Sequence, residues 1–287
     1  MAQLLSPSDV RTLTELLGIH PSKKWGQNFV VDAGSVRRIT RIAGLEPGER
    51  VLEVGPGLGS LTLALLESGA VVDAVEIDPA LSAALPATVA SRAPDEAHNL
   101  TVLTADALRI GVSDLPSPPS ALVANLPYNV AVPLVLHVLE AFPSVRRALV
   151  MVQAEVADRM VAPPGSRTYG IPSAKIAWYA SARRAGDIGR AAFWPVPRVD
   201  SALVLIERRA EPETSAQRAE VFAVIDAAFS QRRKALRGAL ASHAGSAEAA
   251  GRALAAAGID TLTRGETLGI EAFARIAEAL ARFRTKA

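Results

Sequence analysis

The stretch Val51–Thr62 reads VLEVGPGLGSLT, and its interpretation decides the fold. The first residues form a short apolar run, as expected for a buried strand, and the last begin an apolar helix. Between them Gly55, Gly57 and Gly59 recur at every second position. Glycines there let the backbone approach a ligand without a Cβ in the way, and the helix start offers free N–H groups. The dinucleotide fingerprint G-x-G-x-x-G would place its third glycine at Ser60. The spacing is G-x-G-x-G instead, so a nicotinamide dinucleotide is the weaker fit.

Outward from this turn, short β-rich runs alternate with helical stretches from about Arg50 to Leu149: RVLEVG, VVDAVEI, LTVLTADAL, SALVANL and VRRALVMVQ. Apolar strands separated by amphipathic helices predict a parallel sheet covered on both sides, a doubly wound α/β domain. Upstream, SPSDVRTLTELLG and DAGSVRRITRIAGL predict two helices capped by Ser and Asp and stopped at Gly18 and Gly44. Downstream, FWPVPRVDS breaks any helix and SALVLIERR predicts a last strand. Beyond it Ala, Arg and Glu recur with helical periodicity. The expected division is a Rossmann-like domain with an N-terminal helical extension over residues 1–208 and a small all-helical domain over 209–287.

Composition narrows the chemistry. The chain has 287 residues, 49% of them hydrophobic, enough for one large core and a smaller domain. Cysteine is absent, which excludes disulfides, thiolate nucleophiles and zinc ribbons. His20, His98, His137 and His243 lie far apart, with no helical metal pair, so no metal is expected. No run approaches the roughly eighteen apolar residues of a membrane helix, and no secretion signal is legible, so a soluble, cytoplasmic protein is expected. The net charge is only +2, yet cations cluster at Lys23-Lys24, Arg146-Arg147 and Arg232-Arg233-Lys234 with Arg237. Taken singly, such clusters read as solvated surface, and as a nucleic-acid footprint only where they converge.

Glu76 ends the second strand in VEIDP, where an acid accepts both hydroxyls of a ribose. Asp106 ends the third in TADAL, placed to bond an adenine amino group. Ribose and adenine without a diphosphate-specific glycine point to S-adenosylmethionine. The fourth strand ends in Asn125-Leu126-Pro127-Tyr128, which holds no general base. The Asn125 amide oxygen and the Leu126 carbonyl are acceptors, Pro127 stiffens the turn and Tyr128 offers a flat face. Together they suit a planar ring with an exocyclic amine. Positioning of that kind contributes roughly 7–11 kcal/mol, and stacking roughly 1–3 kcal/mol per base.

The chain resembles the ribosomal RNA small-subunit adenine N6,N6-dimethyltransferases of the KsgA type. The likeness is carried by KKWGQNFVVD, EVGPGLGSLT, VEIDP, ADAL, NLPYNVAVPLV, FWPVPRVDSALV and FSQRRKALRGAL, in that order from about Lys23 to Leu240. It implies a class I, Rossmann-like methyltransferase domain with a small helical C-terminal domain. It also implies that Asn28 and Val30 touch S-adenosylmethionine, with Gly55 and Gly57 beside its methionine part, Glu76 on the ribose and Asp106 on the adenine edge. Asn125 then sits where cofactor and target meet. Phe193, which on pattern alone reads as a core residue, is given a stacking role opposite Tyr128 on a flipped base. Lys23, Lys24, Arg232, Arg233, Lys234 and Arg237 read as RNA contacts that position without specifying sequence.

The implied reaction is transfer of four methyl groups, two to each of two adjacent adenines in the 3′-terminal hairpin loop of 16S rRNA. The implied partner is the immature 30S subunit, met by a monomer. Two other readings remain: an Erm-like 23S rRNA adenine methyltransferase, and a ribosome-assembly checkpoint factor for which methylation is secondary.

Overall fold

The capping signals act where the sequence puts them. In the computed structural model, which describes residues 2–19, 28–127 and 130–284, α1 (Pro7–Leu16) starts at Ser6, whose Oγ accepts the Asp9 N–H at 3.2 Å. The Asp9 carboxylate in turn accepts the Ser6 N–H at 2.8 Å, closing a capping box. A short strand β1 (Phe29–Val30) leads to α2 (Ala33–Ala43), capped by Asp32, which accepts the Ser35 N–H at 2.7 Å. Gly18 and Gly44 stop the two helices in the left-handed region, at φ 61° and 59°.

The alternating segment folds as β2 (Arg50–Val54), α3 (Ser60–Glu67), β3 (Val71–Glu76), α4 (Pro79–Arg92), β4 (Leu100–Thr104), β5 (Ala121–Asn125), α5 (Ala131–Ala141) and β6 (Arg147–Gln153). Then come α6 (Ala154–Val161), α7 (Ile171–Tyr179), β7 (Ala180–Ile188), β8 (Phe193–Trp194) and β9 (Ser201–Arg208). Among the described residues the main sheet has seven strands in the order β4-β3-β2-β5-β6-β9-β7. β2 to β6 pair in parallel, and β9 returns antiparallel to β6. β1 and β8 form a separate antiparallel pair, Phe29 opposite Trp194 and Val30 opposite Phe193. From β2 the chain runs outward through β3 to β4, then returns to place β5 on the other side of β2. That reversal is the switch point where open α/β sheets hold ligands, beyond the carboxyl ends of the strands.

The opposite end of the sheet is fastened by one acid. Glu49, just before β2, accepts the Ser120 hydroxyl at 2.6 Å and the Glu46 N–H at 3.0 Å, and pairs with Arg147 at the start of β6. Burial works against its ionisation, but Ser120, Glu46 and the Arg147 and Arg146 charges outweigh it and hold the carboxyl below the ordinary 4.5. Its contribution is therefore full above about pH 4.5 and fades as pH falls through the lower folded value. Glu49→Ala leaves Arg147 largely buried without its counter-charge, at a cost of roughly 3 kcal/mol. We expect melting to fall by roughly 5–10 °C near neutral pH, with wild type and variant converging in acid, as read by calorimetric scans at pH 7 and 3.5.

The chain divides into two compact units, residues 1–157 with 183–208, and residues 158–182 with 209–287. The second contains α8 (Arg218–Ser230), α9 (Leu236–Ala239), α10 (Ala241–Ala244), α11 (Ala247–Ala256) and α12 (Ile270–Arg284). Residues 158–182, assigned from sequence to the first domain, thus lie with the helical unit. The reason is aromatic packing. Tyr169 meets Phe229 edge-on at 5.8 Å, Trp178 meets Phe222 at 6.3 Å, and Phe229 stacks near Phe273. The Tyr169 hydroxyl donates to the Leu268 carbonyl at 2.7 Å. Pairs of this kind each add roughly 0.5–1.5 kcal/mol beyond the area they bury.

Candidate active site

A cleft of about 1180 Å³, counting the space open to solvent, lies at the carboxyl ends of β2 to β5. The turn after β2 forms its floor, with Gly55, Gly57 and Gly59 at φ 69°, 58° and 94°. A Cβ on Gly57 would lie 3.1 Å from the Phe29 ring, and one on Gly59 would lie 2.7 Å from the Leu85 side chain. Positive φ and close packing together reserve both positions for glycine.

Glu76 ends β3 against this turn and is almost fully buried. Its Oε2 accepts the Gly57 N–H at 3.1 Å and its Oε1 accepts the Asp78 N–H at 3.0 Å. Burial raises its pKa, and those backbone donors only partly offset the shift. Asp106 follows β4, its Oδ1 accepting the Leu108 N–H at 3.0 Å and its Oδ2 lying 3.6 Å from Arg109. Both acids line the cleft, as do Asn28, Val30, Gly55 and Gly57. So the cofactor residues expected from the sequence do come together.

Among the lining residues that the sequence did not single out, three bear on the chemistry of the site. Ile77 and Leu108 are large apolar side chains left 46% and 36% exposed, and they offer flat apolar walls beside Glu76 and Asp106. Each directly follows or nearly follows a strand-end acid, which is the signal that could have found them. Glu53, on β2, is the third.

At the end of β5, Asn125 Nδ2 donates to the backbone carbonyl of Asn28 at 3.2 Å. A carbonyl oxygen only accepts, so this contact fixes which way the amide points and commits Oδ1 as the acceptor. The Leu126 N–H is used by the Met151 carbonyl at 3.0 Å, and Leu126 and Pro127 line the cleft beside Asn125. Tyr128, Lys23 and Lys24 lie outside the described residues. Phe193 does not join the lining residues. It is 2% exposed and belongs to the hydrophobic core. It pairs opposite Val30 in the β1–β8 ladder, and Val30 does line the cleft.

In the helical unit the basic cluster is partly committed. Arg232 pairs with Glu266 at 2.8 Å and donates to the Arg167 carbonyl at 2.6 Å, and Arg237 lies 3.7 Å from Glu248. Arg233 and Lys234 are exposed. Among the described residues no group of His, Asp and Glu is arranged to hold a metal ion, and no helix is long and apolar enough to cross a membrane.

Acids without a single Lys, Arg or His among the described lining residues, an apolar pair of walls and a turn closed to any Cβ suit a nucleoside with a cationic tail. On this sheet they define a class I, Rossmann-like methyltransferase that uses S-adenosylmethionine. Comparison with known proteins narrows the class. The model of the ribosomal RNA adenine dimethylase family matches residues 20–282. A ribosomal RNA small subunit methyltransferase A from Thermobifida fusca is 65% identical over 278 residues, 96% of either chain. One from Streptomyces avermitilis is 61% identical over 277 residues, 96% of this chain and 93% of the other. The solved 23S rRNA methyltransferase ErmE superposes with a TM-score of 0.63 at 27% identity, over 88% of this chain and 100% of its own. A dimethyladenosine transferase from Plasmodium falciparum shares the fold, with a TM-score of 0.74 at 22% identity over 90% and 98% of the two chains. The chain belongs to the ribosomal RNA adenine dimethylase family, and its reaction is N6,N6-dimethylation of adenine in ribosomal RNA.

Proposed function

We propose that the protein places two methyl groups on each of two adjacent adenines in the 3′-terminal hairpin loop of 16S rRNA, acting in the cytoplasm on the immature 30S subunit. The observation that carries the chemistry is the Asn125 amide, oriented by the Asn28 carbonyl with Oδ1 left as acceptor at the mouth of the cleft. The choice of RNA leans on relatives above 60% identity that bear small-subunit names, against 27% for the 23S enzyme.

Bound in the cleft, S-adenosylmethionine supplies an electrophilic methyl group. Glu76 accepts from the ribose, Asp106 faces the adenine edge, and Ile77 and Leu108 flank the ring. Asn125 Oδ1 and the Leu126 carbonyl accept the two N–H groups of the target N6. That drains delocalisation into the ring and aims the nitrogen lone pair. Pro127 limits the motion of this turn, and Tyr128 stacks on the base. No strong base is needed, because the amine becomes acidic once methylated and sheds its proton to water. A loop adenine is open to this grip in a way that a base in a deep A-form groove is not.

The decisive test is incorporation of labelled methyl into 30S subunits that lack the modification, with the modified bases mapped. Label on two adjacent adenines near the 3′ end of 16S rRNA supports the proposal, and label in 23S rRNA overturns it.

The RNA contacts have their own test. Arg233 and Lys234 are exposed, so Arg233→Ala with Lys234→Ala should lower the slope of log affinity against log salt by roughly two, about one per lost phosphate contact, with melting unchanged. Arg232→Ala should lower melting as well, because Glu266 and the Arg167 carbonyl lose their partner. Salt titrations of 30S binding beside thermal scans separate the two roles.

A further inference from the structure

Residues 106–115 follow β4 and carry Asp106, Ala107 and Leu108 into the wall of the cleft. Most hydrogen bonds of this segment close within it. The Asp106 carbonyl accepts the Arg109 N–H at 2.9 Å, the Asp106 carboxylate accepts the Leu108 N–H at 3.0 Å, and the Asp114 carboxylate accepts the Gly111 N–H at 2.7 Å. Bonds of that kind set the shape of a loop without setting where the loop sits. Among the described residues one hydrogen bond ties the segment to another element: His137 Nε2, on α5, meets the Ile110 carbonyl at 2.8 Å. A carbonyl oxygen only accepts, so Nε2 is the protonated nitrogen and donates. Burial of Ala107, Ile110 and Leu115 adds a hold without direction.

The place of His137 on its helix gives this bond its meaning. Val130, Leu134 and His137 fall at i, i+4 and i+7, on one face of α5. The first two line the cleft, and the third reaches the loop behind Asp106. We propose that His137 is a positioning residue for the cofactor's adenine: its bond to Ile110 fixes the Asp106 loop against α5, and the pocket thereby selects a 6-amino over a 6-oxo purine. The inference rests on reading the cleft as an S-adenosylmethionine site with Asp106 on the adenine edge. Without the bond the loop keeps its internal turns and its buried side chains, but shifts as a unit. A fixed Asp106 carboxylate accepts from the adenine amine and repels a 6-oxo group, because two acceptors then face each other. A loose loop grips the amine less well and turns its carboxylate away from the oxo group. Loss of the bond therefore weakens the amino compound more than the oxo compound.

The test is calorimetric titration of the full chain with S-adenosylhomocysteine and with S-inosylhomocysteine, its 6-oxo counterpart. Wild type should prefer the amino compound about ten- to a hundredfold. His137→Ala should weaken S-adenosylhomocysteine about tenfold, hold the 6-oxo compound close to its wild-type affinity, and so shrink the preference about tenfold. In methyl transfer its KM for S-adenosylmethionine should rise in proportion while kcat at saturation stays near wild type. His137→Gln sets an amide N–H where Nε2 stood and should restore affinity and preference. His137→Asn, one carbon shorter, falls short of Ile110 and should behave as the alanine variant. The two amide variants also decide the matter if alanine unsettles α5. A preference that is unchanged in His137→Ala, or that does not separate the glutamine from the asparagine variant, overturns the proposal and leaves the cofactor reading intact. An affinity loss shared equally by both compounds assigns His137 to the stability of the loop alone and overturns it too. Absence of any preference in wild type removes the Asp106 reading and the proposal together.

Discussion

Asn125→Ala should lose methyl transfer by a factor of roughly 10²–10³ at saturating cofactor, while its affinity for the 30S subunit stays within threefold of wild type. The loss has two physical parts. The variant removes the acceptor proposed to hold the target N6, and it cuts the hydrogen bond to the Asn28 carbonyl that keeps the amide in place. The second part alone is worth only about 1 kcal/mol of stability, so the fold survives and the effect is catalytic. Asn125→Asp separates the parts further. It keeps an acceptor, but sets an oxygen against the Asn28 carbonyl, two acceptors where one bond had been. The carboxylate turns away, and activity should fall nearly as far as in the alanine variant. Single-turnover transfer of labelled methyl, read beside cofactor and subunit affinities, checks both. A rate within threefold of wild type in Asn125→Ala would sink the clamp.

The sheet and the cofactor pocket were legible because their signals are local. A strand, a glycine turn and a capped helix are written in consecutive residues, and a parallel sheet puts successive strand ends side by side. Glu76, Asp106 and Asn125 therefore meet wherever the alternating pattern folds. What escaped was set by partners distant in sequence. Strand β7 reads SARRAGDI in its body, too charged and glycine-bearing to show a strand period, and it forms an edge beside β9. Residues 158–182 carry no composition shift, and only the meeting of Tyr169 and Trp178 with α8 aromatics assigns them to the helical unit. Phe193 shows the same limit from the other side. The pattern of the chain reads it as core, family likeness reads it as a base-stacking face, and it is found buried opposite Val30, which lines the cleft. Glu53 was passed over because one acid in an apolar strand looks like an exception, and its burial in the cleft wall shows only in the folded chain.

Glu76→Ala should raise the dissociation constant for S-adenosylhomocysteine about a hundredfold and leave 30S binding unchanged. A carboxylate that accepts two ribose hydroxyls makes charge-assisted bonds, each worth roughly 1.5–3 kcal/mol, and one good bond's worth is enough for the effect. The free protein should suffer less than the two lost backbone bonds to Gly57 and Asp78 imply. Burial raises the Glu76 pKa, so the folded state bears a cost for holding it ionised that the variant removes. By sign, that relief grows as pH rises through the folded value. Ligand-induced stabilisation reads the outcome directly. Ligand at a hundred times the wild-type constant stabilises by roughly 2.7 kcal/mol, and after a hundredfold loss by roughly 0.4 kcal/mol. The thermal shift should therefore nearly vanish in the variant, and a shift equal to wild type would place the ribose elsewhere. The same protein decides between enzyme and checkpoint factor. Glu76 lies in the cleft on the sheet unit and the exposed cations Arg233 and Lys234, proposed as RNA contacts, lie in the helical unit, so we expect subunit binding and methyl transfer to be lost separately. A variant that binds subunits normally, transfers no methyl and still supports subunit maturation assigns the main task to binding; one that blocks maturation while bound ties release from the subunit to the chemistry.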